Sequence, residues 1–126
     1  MTMLLVRDVM TIGVPVCRDT ETCGAVAARL NGEAVVVLDE DGMACGWLTR
    51  EQLLAEDATR PVGAVMDEVI PTVAPDIPAE AAAQLMLDRE VEYLFLMHDW
   101  PGEPRPSAMI SRKAAEKRLR ESHETQ

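Results

Sequence analysis

Two places in the sequence set a hydroxyl beside an arginine at the end of an apolar run. They are Thr49-Arg50 after Gly46-Trp47-Leu48, and Ser111-Arg112 after Ala108-Met109-Ile110. A hydroxyl where a strand gives way to a helix caps that helix by accepting an unpaired N–H. The other N–H groups of a helix start favour an anion, and a neighbouring arginine is a charge-assisted donor to phosphate. The plainer reading stands beside this one: capping alone accounts for Thr49 and Ser111, and most charged helix residues are simply solvated. His98 next to Asp99 has no nucleophile or metal partner in the pattern. Cys17, Cys23 and Cys45 form no C-x-x-C pair and lie far from His98 and His123, so free, mostly buried thiols are expected rather than a metal site. A Gly-rich phosphate loop, an H-E-x-x-H and a nucleophile elbow are all missing. No residue is assigned a catalytic role, and the chain is not expected to be an enzyme.

The elements that must carry these junctions come as a repeat. Val6, Val9 and Met10 superpose on Val62, Val65 and Met66, and Pro15 falls on Pro71. Helical patterns follow over 22–30 and 78–90. Asp76 supplies a cap candidate and Pro78 a first-turn proline. Ala34-Val35-Val36-Val37-Leu38 is a continuous branched run of the buried-strand type. Asp39-Glu40-Asp41-Gly42 is a turn signal, and 43–48 pairs back as a hairpin. The second hairpin reads as 93–97 and 107–110, joined by a Pro-rich loop over 100–106. Each hairpin runs into a helix, at Thr49 and at Ser111. Each half therefore reads helix, strand, helix, strand, strand, helix, with a join at 56–61. Halves of about 55–60 residues are marginal alone, so the two are expected to bury their sheets together around a pseudo-twofold axis with a cleft on it.

Composition narrows the function classes. The chain has 126 residues, with 22 Asp+Glu against 12 Lys+Arg and a net charge of −10. So acidic a chain is a poor partner for nucleic acid or an anionic membrane. The charge is uneven: residues 112–126 hold 5 bases and 3 acids, and form a basic helical stretch. No apolar run reaches the roughly 20 residues of a membrane span. Met3–Val6 is too short for a signal-peptide core, and a cytoplasmic location is expected. Trp47 and Trp100 are candidates for an interface. Apolar helix positions including Met10, Leu53, Leu54, Met66, Leu85 and Met86 exceed what two small halves hide, so a homodimer is expected.

The ordered series Asp8-Val9-Met10-Thr11, Asp19-Thr20, Val36-Val37-Leu38-Asp39-Glu40-Asp41-Gly42 and Gly46-Trp47-Leu48-Thr49-Arg50 resembles a CBS motif, named for cystathionine β-synthase. Val65-Met66, Val73-Ala74-Pro75-Asp76 and Ile110-Ser111-Arg112 carry the resemblance through the second half. It implies a tandem CBS pair, or Bateman module. The fold class is α/β, each motif a small mixed sheet with flanking helices, over 1–57 and 58–121, with 122–126 as a tail. It also implies a regulatory module binding AMP, ADP, ATP or S-adenosylmethionine in the cleft, with no obligatory cofactor or metal and with a regulated partner protein. The family's signature is Gly, apolar, any, Thr or Ser, two residues, then a ribose-binding Asp. Thr49 and Ser111 match it, whereas Gln52 and Ala114 stand where the Asp would be. The binding residues implied are Thr11, Ile12 and Val14 of the first leader, Val69 and Ile70 of the second, then Thr49, Arg50, Gln52, Tyr93, Ser111 and Arg112. Gly13, Asp67 and Glu68 adjoin them. The alternative is that a pair without either carboxylate is a degenerate one, acting as a dimerisation or interaction scaffold with no small ligand.

Overall fold

The structure, a computed structural model, describes residues 3–100 and 103–124. Of the Pro-rich stretch, Pro101 and Gly102 lie outside the described residues, as do the side chains of His98, Trp100 and His123. The chain order is α1 (Val6–Val9), β1 (Thr11–Ile12), β2 (Val16–Arg18), α2 (Cys23–Arg29), β3 (Ala34–Leu38), β4 (Ala44–Thr49) and α3 (Arg50–Ala55). A 3-10 turn over Val62–Ala64 follows, then α4 (Ala79–Arg89), β5 (Tyr93–Trp100), β6 (Glu103–Ser111) and α5 (Arg112–Glu124). The second hairpin is longer than its apolar residues suggest. Its strands run to Trp100 and from Glu103, so most of the expected loop is strand.

The helices and strands form two units whose members are not the sequence halves. One unit takes Met1–Gly13, Pro71–Met97 and Ser107–Gln126, the other Val14–Ile70 and His98–Pro106. The leader of each motif is thus counted with the hairpin of the other.

In the unit around Val14–Ile70 the sheet order is β2-β3-β4. β2 runs parallel to β3, with Cys17 opposite Val37, and β4 runs antiparallel, with Trp47 opposite Val36. β2 is a strand that sequence periodicity did not suggest; it is short, and its two outer residues are exposed. Val35 and Val37 enter a core with Cys17, Cys23, Val26, Leu30, Leu48, Leu53 and Val62. Ala34 and Val36 alternate to the opposite face and are also fully buried. Burial on both faces is why this strand reads as one unbroken apolar run.

α2 starts where the join packs across it. Thr22 Oγ1 accepts from Ala25 N at 3.2 Å. Cys23 N donates to Arg60 O at 2.8 Å and Gly24 N to Ala58 O at 2.9 Å. Beyond the join, Trp47 and Asp67 exchange backbone bonds, N to O, at 3.0 Å each way. Gly46 allows that approach: a Cβ there would lie 2.8 Å from Asp67 O and 2.7 Å from Met66 Cγ, and would collide with Met66 Sδ. Met66 can swing, but the Asp67 carbonyl is backbone. Gly46→Ala is therefore expected to cost about 1–3 kcal/mol through overpacking, read as a lowered urea midpoint with an unchanged slope. Wild-type stability would show that the leader yields freely.

The other unit also sets an edge strand beside a hairpin, but here the edge strand β1 runs antiparallel to the second hairpin strand, β6. Its sheet order is β1-β6-β5, with Thr11 opposite Met109 and Ile12 opposite Ala108. Leu94, Leu96, Ala108 and Ile110 pack on Val6, Val9, Ala79, Ala82, Ala83, Met86 and Ala115. Phe95 alternates to the other face and is fully buried. α4 begins after Pro78, with no side-chain cap. The expected cap, Asp76, is not used. Ala79 N instead donates to Leu4 O at 2.9 Å, and Val6 N to Ile77 O at 2.8 Å. A carbonyl from the leader thus takes the N–H that a capping carboxylate would otherwise satisfy. α4 ends on Glu90 in the left-handed region, at φ 57°.

Candidate functional site

Both hydroxyls sit where the pattern puts them. Thr49 ends β4 and caps α3: its side chain accepts from Gln52 N at 3.1 Å, and Gln52 Oε1 accepts from Thr49 N at 2.8 Å. This reciprocal pair is a capping box, and it engages the Gln52 side-chain oxygen. Arg50 turns back on its own unit. Its Nη1 donates to Leu30 O at 2.8 Å, and its backbone N to Glu33 O at 2.8 Å. The guanidinium thereby satisfies a carbonyl at the end of α2, a common use of arginine there.

Ser111 ends β6, and its Oγ accepts from Ala114 N at 3.1 Å. Arg112 lies between two carboxylates, Nη2 at 2.7 Å from Glu92 Oε1 and Nη1 at 3.2 Å from Glu116 Oε1. These partners hold its pKa above the ordinary arginine value, the Glu92 hydrogen bond most strongly. Glu92 was not singled out in the sequence. It stands 20 positions from Arg112, and only the hairpin brings them together.

The remaining candidates divide between the units. Val14, Val69 and Ile70 share the unit around Val14–Ile70 with Thr49, Arg50 and Gln52, whereas Thr11, Ile12 and Tyr93 share the other unit with Ser111 and Arg112. Each leader is fastened close to one junction. The Trp47 indole N–H donates to Val69 O at 3.0 Å, and Trp47 lies two residues before Thr49. Thr11 pairs with Met109, two residues before Ser111. Val69 N donates to Asp67 Oδ1 at 2.9 Å, so Asp67 shapes the leader's turn. Ile12 and Val69 are exposed, at 75% and 73%, while Val14, Ile70 and Tyr93 are half-buried.

Two expectations need correction. Trp47 is no interface residue: it is 5% exposed and closes the leader onto β4. Of the six apolar helix positions cited for a dimer, Leu53 and Met86 are core, Met10, Met66 and Leu85 are half-buried, and only Leu54 is largely exposed, at 65%. Leu54 borders a groove of about 310 Å³ between α2 and α3, beside Gly24, Ala27 and Ala28.

All three cysteines are free. Burial, with Glu21 nearby, pushes the Cys17 thiol up to about 12. Among the described residues no cluster of His, Cys, Asp and Glu has the arrangement of a metal site, and no helix is long and apolar enough to cross a membrane.

The CBS domain model matches twice, over residues 6–58 and 62–118. The chain belongs to the CBS domain family. It is a mixed α/β protein of two tandem CBS motifs. No curated protein matches it at a significant level. Among solved structures, the CBS domain pair of protein MJ0100 in complex with 5'-methylthioadenosine and S-adenosyl-L-methionine aligns at TM-score 0.81, with 16% identity over 96% of this chain and 99% of that one. CBSX2 in complex with AMP aligns at 0.74, with 18% identity over 95% and 98%. The cytosolic domain of the Mg2+ channel MgtE in complex with ATP aligns at 0.70, with 22% identity over 89% of this chain, which spans about half (47%) of that one. At these identities the likeness is one of fold.

Proposed function

We propose that this CBS pair is a non-catalytic regulatory module of the cytoplasm that binds an adenosine-containing small molecule and passes its occupancy to a partner protein. The observation that carries the reading is the repeated junction: a capping hydroxyl, Thr49 or Ser111, with a leader from the other motif tied two residues ahead of it. The AMP, ATP and S-adenosylmethionine complexes of its structural neighbours supply the ligand class. Binding that differs between two arrangements of the motifs shifts their populations, which is what a partner can read.

Arg50 is held on the Leu30 carbonyl and Arg112 lies between two glutamates. Phosphate would compete with these bonds, so S-adenosylmethionine is the ligand expected to bind better than ATP. A second reading, a scaffold with no small ligand, is favoured by the same bonds together with the lost carboxylates at Gln52 and Ala114. In either reading we propose a homodimer, with the Leu54 groove in its contact.

One experiment separates the two. Nucleotide-free protein is melted with AMP, ADP, ATP or S-adenosylmethionine, with guanosine analogues as controls, and its mass is followed by sedimentation. A ligand at about 100 times its Kd stabilises by about 2.7 kcal/mol, a shift of roughly 10 °C for a domain this small. The expected result is a selective shift that is reduced in Ser111→Ala. A flat panel at millimolar ligand, with a stable dimer, would establish the scaffold.

A further inference from the structure

We propose that the outward face of α5 is a docking surface for an acidic polypeptide segment of a partner protein. The face consists of Lys113, Lys117 and Arg120, at spacings of four and three, so they form one stripe along the helix. All three are exposed. Ala115 is buried in the core and Leu119 packs against it on the opposite side of the helix. The stripe holds both lysines of the chain.

Two observations bear on these cations. The first is pairing. Arg29, Arg60 and Arg112 meet carboxylates, while Arg18, Arg50 and Arg118 donate to backbone carbonyls. Among the described residues Arg7, Arg89 and the three stripe cations make no ion pair or side-chain hydrogen bond; Arg7 and Arg89 stand singly on α1 and α4, and only the stripe gathers three such cations on one helix.

The second observation is placement. Cations suit the last turn of a helix and oppose its first. α1, α3 and α4 each carry an acid in the first turn, at Asp8, Glu51 and Glu80; α2 and α5 have none, and of these two only α5 begins with cations, Arg112-Lys113. Arg112 is compensated by Glu92 and Glu116; Lys113 is not. Helix stability does not account for a lysine there, and a partner's carboxylate would.

Charge also selects the class of partner. Residues 1–111 carry 19 acids against 7 bases. A duplex or a membrane plane is wider than one helix face and is repelled by the excess negative charge of the rest of the chain. A single acidic helix or strand meets the stripe alone.

The test uses the full chain and a short fluorescein-labelled oligoglutamate peptide, with oligoglutamine, an anionic vesicle, duplex DNA and ATP as comparison probes. Saturable binding of oligoglutamate at low salt is expected, falling steeply toward about 0.15 M. Reversal of all three charges, K113E/K117E/R120E, is expected to weaken it at least about tenfold. The milder K113Q/K117Q/R120Q guards against misfolding, and both variants should melt like wild type. Carbodiimide coupling should join the peptide to Lys113 and Lys117, located by mass spectrometry. Equal binding of oligoglutamine, binding unchanged by the triple variants, or a preference for vesicle, DNA or ATP would each overturn the proposal.

Discussion

Trp47→Ala is expected to destabilise the protein by about 3–5 kcal/mol, the usual loss for truncating a buried aromatic to alanine. The residue is 5% exposed and joins two elements at once. Its backbone pairs with Val36 of β3 on one side and with Asp67 of the second leader on the other. Its indole N–H donates to Val69 O at 3.0 Å. Trp47→Phe separates the contributions. It keeps most of the ring burial and deletes the N–H, and because Val69 is itself exposed, water can take over its carbonyl. That variant is expected to lose only about 1 kcal/mol. Urea titration followed by circular dichroism reads both. A loss below 1 kcal/mol for Trp47→Ala would mean that the leader does not depend on the indole. Since the same indole fastens Val69 to β4 two residues before Thr49, Trp47→Ala is also expected to reduce any ligand-induced shift.

Phe95→Ala is expected to lose a similar amount, about 3–5 kcal/mol, for a different reason. Phe95 has no exposed surface and lies on the sheet face away from Leu94 and Leu96. Its backbone is held on both sides of the ring's attachment, Phe95 N donating to Pro71 O at 2.8 Å and Val73 N to Phe95 O at 3.0 Å. The strand therefore cannot drift to close the cavity an alanine would leave. Phe95→Leu fills most of that space and is expected to lose less than about 1.5 kcal/mol. Equal losses for the two variants would point to a requirement for the ring itself. A domain's net stability is about 5–15 kcal/mol, so Phe95→Ala is expected to show as a clearly lowered Tm with the same cooperativity.

Much of the local structure follows from the order of residue types. The unbroken run Ala34–Leu38 is β3 to the residue, because a strand buried on both faces has no polar positions to interrupt it. Thr49 and Ser111 after apolar strands are caps of α3 and α5, whereas Thr22, the first residue of the helical pattern over 22–30, stands just outside α2 as its cap. The duplication and the family are carried by residue order as well, since both need only spacing along the chain. The acid-poor first turn of α5 could be seen there too, though not that Lys113 lacks a partner.

Contacts far apart along the chain were decided by the tertiary structure alone. No local pattern says that the first leader runs beside β6 and the second beside β4, since β1 pairs across nearly the whole chain from Thr11 to Met109. That exchange makes Trp47 a core residue and leaves Asp76 without capping work, because Leu4 O reaches Ala79 N first. Arg50 and Arg112 show the same limit. A side chain's type makes it fit for phosphate, but the carbonyls and carboxylates folded against it decide what it holds, and Leu30, Glu92 and Glu116 reach these two arginines only through packing. Sequence by itself determined most of the elements, the caps at Thr49 and Ser111 and the duplication, which depend on neighbours along the chain. The tertiary structure decided which leader serves which junction, because that depends on which surfaces bury one another.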